Sequence, residues 1–222
     1  MYKLRLSFSK TGYAKFVSHL DLMRMFQRVF RIAGVEMAFS QGFNPHPIMS
    51  IGNPVPTGVV GMEEYMDFSL KENNMSPYEV KNRLNAVLPK DFKILDVWEP
   101  VDAMNLINKA HYKATIKVKK ELPDFEDYIQ ALKVKDDIVV AKKTKRSISN
   151  VDIKPWIYKL DLTNADGLNF EFDMVLSVGG SFNLKVNSVF DAFTKYVPDF
   201  ALEEYSITRL GLFKDNMTKI DS

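Results

Sequence analysis

The sequence predicts an α+β protein built from two tandem domains with the β-α-β-β-α-β order of the ferredoxin-like pattern. Three observations carry this. Short period-2 segments alternate with amphipathic helical segments, the same order of elements occurs twice, and 222 residues suit two domains of ordinary size.

The elements follow in order. Tyr2, Leu4, Leu6 and Phe8 alternate with Lys3, Arg5 and Ser7, the pattern of a half-buried strand. Ser18-His-Leu-Asp21 reads as a helix N-cap with a capping-box acid three residues on. Leu22, Phe26, Val29 and Ala33 form the apolar stripe of that helix, and Gly34 ends it. The Pro/Gly/Asn-rich stretch 41–61 is too punctuated for a helix and holds a strand. Glu64–Leu70 alternates as a strand, Ser76-Pro77 opens a second helix, and Phe92–Trp98 closes the first domain, 1–105.

The second domain, 106–222, repeats the order. Tyr112–Val118 is a strand, Leu122–Leu132 a helix, and Ile138–Ala141 and Trp156–Leu162 are strands around a basic segment. Leu168–Val178 alternates as a strand, Val186–Tyr196 is a helix, and Ile207–Phe213 is the last strand. The halves share this order of elements without a repeat of sequence, and Met104–Ala110 is the junction.

Composition excludes several functions. Hydrophobic residues make up 46% of the chain, with sixteen Phe and eleven Met, which is core material enough to exclude a disordered chain. The absence of cysteine excludes disulfides, a thiolate nucleophile, Cys-ligated zinc and a cluster held by this chain. The charged start Met1-Tyr-Lys-Leu-Arg is no signal peptide, and no apolar run reaches the roughly 18 residues of a membrane span. A cytoplasmic protein without a membrane partner is the expectation. A net charge of +2 restricts any nucleic-acid site to a local patch.

Such a patch is visible on the first helix. Asp21, Arg24, Arg28 and Arg31 share the face opposite the apolar stripe. Guanidinium forks in a row suit phosphates or carboxylates, while an ordinary solvated face reads the same way. In Gln41-Gly-Phe-Asn-Pro-His-Pro47, two prolines hold Asn44 and His46 extended. The segment is either a recognition loop presenting Gln41, Asn44 and His46 beside Phe43, or a crossover between sheet elements. Lys142, Lys143, Lys145 and Arg146 form a basic patch at a hairpin tip or a mobile turn, which Lys154 would extend. His19 and His46 are the candidates for acid–base chemistry. The three histidines have no metal-binding spacing, so no metal site is expected. No phosphate loop or dinucleotide fingerprint is present.

Phe8-Ser-Lys-Thr-Gly12, Ser18-His-Leu-Asp-Leu-Met-Arg24 and, above all, Ser40-Gln-Gly-Phe-Asn-Pro-His-Pro47 resemble the radical-SAM-associated (radical-SAM-linked) proteins, a bacterial family of uncharacterised function. Glu64-Tyr-Met-Asp67, Val151-Asp-Ile-Lys-Pro-Trp-Ile157 and Ile207-Thr-Arg-Leu-Gly-Leu212 resemble its later motifs, so the resemblance spans nearly the whole chain. The chain departs from the family at Asn53–Gly58 and Val60–Met62, where a Leu-Pro-Leu-Gly segment is usual.

The resemblance implies a radical-SAM enzyme as partner, with iron–sulfur cluster, SAM and cobalamin on that polypeptide and no cofactor on this one. The resulting expectation is a non-catalytic accessory or substrate-recognition protein in RNA modification or RNA metabolism. Its RNA would be tRNA or rRNA, and its binding residues would include Lys154 and Arg209. The alternatives are a metal-independent endoribonuclease like the CRISPR repeat-processing nucleases, or a module that grips an acidic protein.

Overall fold

The computed structural model describes residues 1–143, 148–180 and 182–221. The fold is α+β and divides into two compact units, one of Met1–Ile107 with the segment from Arg209 onward, the other Asn108–Thr208. The division expected after residue 105 falls two residues from this boundary. The expected 106–222 domain is corrected at its far end, because Arg209 and Asp221 bury their charges against Glu64 and Arg5 of the first unit.

In the first unit the elements are β1 (Tyr2–Lys10), α1 (His19–Ile32), β2 (Met49–Gly52), β3 (Val60–Leu70), α2 (Pro77–Asn85) and β4 (Phe92–Trp98). β1 runs antiparallel to β3 and to β4, and β2 runs antiparallel to β3, so the order is β4-β1-β3-β2. Leu22, Phe26, Val29 and Phe30 of α1 and Val80 and Leu84 of α2 pack in one core with Leu4, Leu6, Phe8, Met66, Phe68 and Ile94. Phe26 is its centre, edge-on to Phe8 at 5.0 Å and to Phe92 at 6.4 Å.

Alternation in β1 predicts one wet face, and the structure corrects this: Arg5 and Ser7 are as buried as their apolar neighbours. Arg5 sits opposite Asp67 on β3 and donates to it from Nε at 2.6 Å, so the polar face of the strand is closed by ion pairs.

The second unit contains β5 (Lys109–Val118), α3 (Phe125–Val134), β6 (Val139–Lys143), β7 (Ile148–Asp152), β8 (Ile157–Asp166), β9 (Asn169–Ser177) and α4 (Val186–Tyr196). β9 lies antiparallel between β5 and β8. The last strand, β10 (Leu202–Phe213), is divided between the units, with Leu202–Thr208 in the second, where β10 neighbours β5 in strand order. The second unit's order is therefore β10-β5-β9-β8.

β6 and β7 form a separate two-stranded antiparallel sheet, and Ile148–Asp152 is a strand that the sequence reading did not assign. The reason is register: Val140 pairs with Val151 and Ala141 with Asn150, which satisfies this backbone locally. Phe125 of α3 centres the core, with ring centroids 4.3 Å from Phe170, 5.8 Å from Phe193 and 5.9 Å from Phe200. No helix among the described residues is long and apolar enough to cross a membrane.

Candidate nucleic-acid interface

The candidate interface lies wholly in the first unit and starts with α1. Ser18 Oγ accepts the Asp21 amide at 3.2 Å and donates to the Asp21 carboxylate at 2.7 Å, so the cap and the acid close on each other. That hydroxyl, followed by Arg24, holds the Asp21 carboxyl below its ordinary range. At the other end Gly34, at φ +66°, donates to the Arg31 carbonyl, and Val35 donates to that of Phe30. This pair of bonds is a Schellman closure, and the positive φ requires glycine there.

Between those ends the helix turns Leu22, Phe26, Val29 and Phe30 inward and leaves Arg24, Arg28 and Arg31 exposed. Arg24 spends part of its charge on Asp21, 3.2 Å away, in an exposed pair that contributes little to stability.

The segment after α1 supplies the second wall. Phe39 and Pro47 form an isolated antiparallel bridge. Around it the Ile48 amide donates to the Ala38 carbonyl at 2.9 Å, and the Ser40 amide to the His46 carbonyl at 2.9 Å. Ser40 Oγ accepts the His46 amide at 3.1 Å and lies 2.9 Å from His46 Nδ1. His46 is thus a clasp that closes the loop, with Gln41, Phe43 and Asn44 exposed at its tip. Met37 pairs with Leu70, fixing this wall to β3 and bringing Lys71 alongside.

Between the two walls runs a groove of about 960 Å³, lined by Arg24, Gln27, Arg28 and Arg31 on one side and by Phe39, Pro47 and Lys71 on the other. Buried Val35 and Met37 form part of its floor. The lining carries four cations against one carboxylate, Glu36, which sits 3.7 Å from Lys71. The local electrostatics are therefore basic although the chain is nearly neutral.

The structure brings Arg24, Arg28 and Arg31 together with the neck of the 39–47 loop. Gln41, Asn44 and His46 stand on that loop, and His19 is exposed at the first turn of α1. Gln27, Phe39 and Lys71 were not legible as site residues. Gln27 carried a signal, three residues from Arg24 on the same face, whereas Lys71 reaches the groove only through the pairing of 37 with 70.

Other expected binding residues stand elsewhere. Arg209, expected at a binding surface, is 2% exposed: Nε donates to Glu64 Oε1 at 2.9 Å, and Nη2 donates to Glu64 Oε2 and to the Asn53 carbonyl. It is a buried structural cation. Burial holds the Glu64 carboxyl above its ordinary range, against the pull of Arg209 and Lys10. Lys10 is buried in the same unit, donates to the Val17 carbonyl at 2.8 Å, and is held low by burial. Lys154 belongs to the second unit and donates to the Lys133 carbonyl.

Lys142 lies over the Phe182 ring at 4.5 Å, and that ring stacks on Trp156. Lys145 and Arg146, together with the side chain of Lys143, lie outside the described residues. Among the described residues no group of three or more His, Asp or Glu is placed to hold a metal ion.

Residues 3–186 match a family model, and the chain belongs to that family, described as uncharacterised proteins conserved in bacteria (DUF2344). No curated protein matches the chain by sequence. Among solved structures, a chain of a Cbf5–Nop10–Gar1 complex is similar over 96% of this chain and 50% of its own, at 11% identity and a TM-score of 0.51. A chain of an archaeal box H/ACA sRNP Nop10–Cbf5 complex is similar over 99% and 51%, at 13% identity and a TM-score of 0.48. The chain spans about half the length of these proteins. At 11% identity the likeness to the first of these is one of fold alone.

Proposed function

We propose that this member of a bacterial family is a non-catalytic RNA-recognition protein that serves a radical-SAM enzyme carried by another polypeptide, tRNA or rRNA being its RNA. The observation that carries the RNA part is the groove, in which three exposed arginines of one helix face an aromatic and proline wall. Guanidinium forks bind phosphates bidentately and so position a backbone, while an exposed ring and exposed amides at a stiffened loop address bases. The radical-SAM partner is supported by the resemblance of the 8–12, 18–24 and 40–47 motifs. Two of those motifs each contribute a residue to the groove, Arg24 and Pro47, and the chain has no cysteine with which to hold a cluster itself.

We also read each unit as ferredoxin-like. In each, two strand–helix–strand passages skip one strand, giving β4-β1-β3-β2 in the first and β10-β5-β9-β8 in the second.

Gel-shift titration with tRNA and rRNA fragments tests the RNA part. Salt-sensitive binding by the natural chain, reduced at least tenfold in an Arg24→Glu, Arg28→Glu, Arg31→Glu variant, is expected. Equal binding by both proteins removes the groove from the account. Co-purification with a radical-SAM enzyme of the same organism tests the partner, and its failure removes that part alone.

A further inference from the structure

We infer that the groove takes single-stranded RNA, its phosphates along the Arg24–Arg28–Arg31 row and an unpaired base against the Phe39–Pro47 wall, and that it does not take duplex. This rests on the RNA-recognition reading above and specifies its ligand.

The two walls differ in chemistry, and the difference decides the ligand. The helix wall is cationic and about two turns long, so from Arg24 to Arg31 it runs ~10 Å. A backbone with several phosphates fits a row of that length, whereas a single anion does not need three forks. The opposite wall presents an apolar surface at Phe39 and Pro47 with Lys71 beside it, and Phe39 is 51% exposed although its backbone is pinned by the bridge to Pro47.

A pinned, half-exposed ring beside a basic row is a stacking surface, because every base has a π-face and an unpaired one can reach it. The bases of a duplex are stacked on each other, and its phosphates alone would meet the arginines, leaving the exposed Phe39 ring uncovered. The tip adds Phe43, fully exposed, with Gln41 and Asn44, whose amides each offer both donor and acceptor to a base edge. An acidic peptide would satisfy the arginines but would use neither the stacking ring nor paired donor–acceptor amides.

The test is fluorescence anisotropy with a short labelled single-stranded oligoribonucleotide of mixed sequence and with the same strand annealed to its complement. Three proteins are compared: the natural chain, Phe39→Leu and Phe39→Tyr. The leucine keeps apolar bulk without a π-face, and circular dichroism verifies that each variant is folded. The single strand is expected to bind about tenfold or more tightly than the duplex. Phe39→Leu should weaken the single strand about tenfold and leave the duplex unchanged, while Phe39→Tyr should restore single-strand binding.

Equal affinity for single strand and duplex, or an unaltered Phe39→Leu, overturns this inference and leaves RNA recognition standing. Absence of binding to both RNAs overturns the RNA reading itself. Polyglutamate that displaces the single strand as effectively as unlabelled RNA overturns it in favour of an acidic protein ligand.

Discussion

Arginine is used in two opposite ways in the first unit. Arg5 and Arg209 are buried, each paired with carboxylates, and they close the unit. Arg24, Arg28 and Arg31 stand in solvent along one helix face, and among the described residues only Arg24 has a carboxylate at salt-bridge distance. The buried pair Arg209–Glu64 has surrendered its hydration and is held by the geometry of its partners, so removing one member strands a charge. The exposed row keeps its hydration and its freedom, so removing it alters little until a polyanion arrives. The same side chain therefore serves stability in one region and recognition in the other, and burial of its partner decides which.

That contrast is open to breakage by substitution. The largest effect is expected at the buried pair: Glu64→Ala should cost about 3–5 kcal/mol in urea unfolding, by leaving Arg209 buried and uncompensated. A cost under about 1 kcal/mol would show that the pair is not a structural element.

Next comes the clasp of Asp221, whose carboxylate accepts from Arg5 Nη1 at 2.7 Å, Trp98 Nε1 at 2.7 Å and the Val101 amide at 2.9 Å. Asp221→Asn should cost about 2 kcal/mol. Asp221 lies beside Asp102, which accepts from Lys214 at 2.8 Å and from the Asp221 amide at 2.9 Å. Burial would raise the Asp221 carboxyl, but the amides, the indole and Arg5 hold it below its ordinary range. Lys214, followed by the Asp221 amide, does the same for Asp102.

Carboxyls depressed in the folded chain lend stability that is complete above their unfolded pKa and lost as pH falls through their folded values. The stability that these two carboxyls contribute should therefore be complete from neutrality down to about pH 4 and decline below it. The decline should be shallower in Asp221→Asn, and an identical acid limb in both proteins would contradict this.

The smallest effect belongs to the exposed region. Ser40→Ala opens the His46 clasp and should cost about 1 kcal/mol or less in stability. It should weaken RNA binding several-fold, since the loop is then no longer pre-shaped. Binding unaltered by Ser40→Ala would separate the loop from the site. Incubation of the natural chain with labelled RNA and no metal should leave the RNA intact, and cleavage would instead support an endoribonuclease.

How much of this was legible in the sequence follows the range of each interaction. α1, its Ser18 cap, its Gly34 stop and its arginine face are local, so periodicity and capping chemistry displayed them. Arg209 was read as a binding residue because its partner, Glu64, is 145 positions away in the chain and nothing local announces the pair. The same distance blindness hid the burial of Arg5, whose alternating neighbourhood predicts a wet face until Asp67 and Asp221 are brought onto it. Lys71 and Phe39 were missed because strand pairing, not helix spacing, places them in the groove.

The central claim is that the exposed row binds a phosphate backbone while the buried pairs hold the fold. Its most direct test is the salt dependence of RNA affinity in the natural chain and in the Arg24→Glu, Arg28→Glu, Arg31→Glu variant, measured by anisotropy beside unfolding curves of both. The account predicts a steep loss of affinity with salt in the natural chain, a slope shallower by about one per phosphate contact removed, and unfolding free energies equal within about 0.5 kcal/mol. Equal slopes and affinities, or a variant that fails to fold, would contradict it.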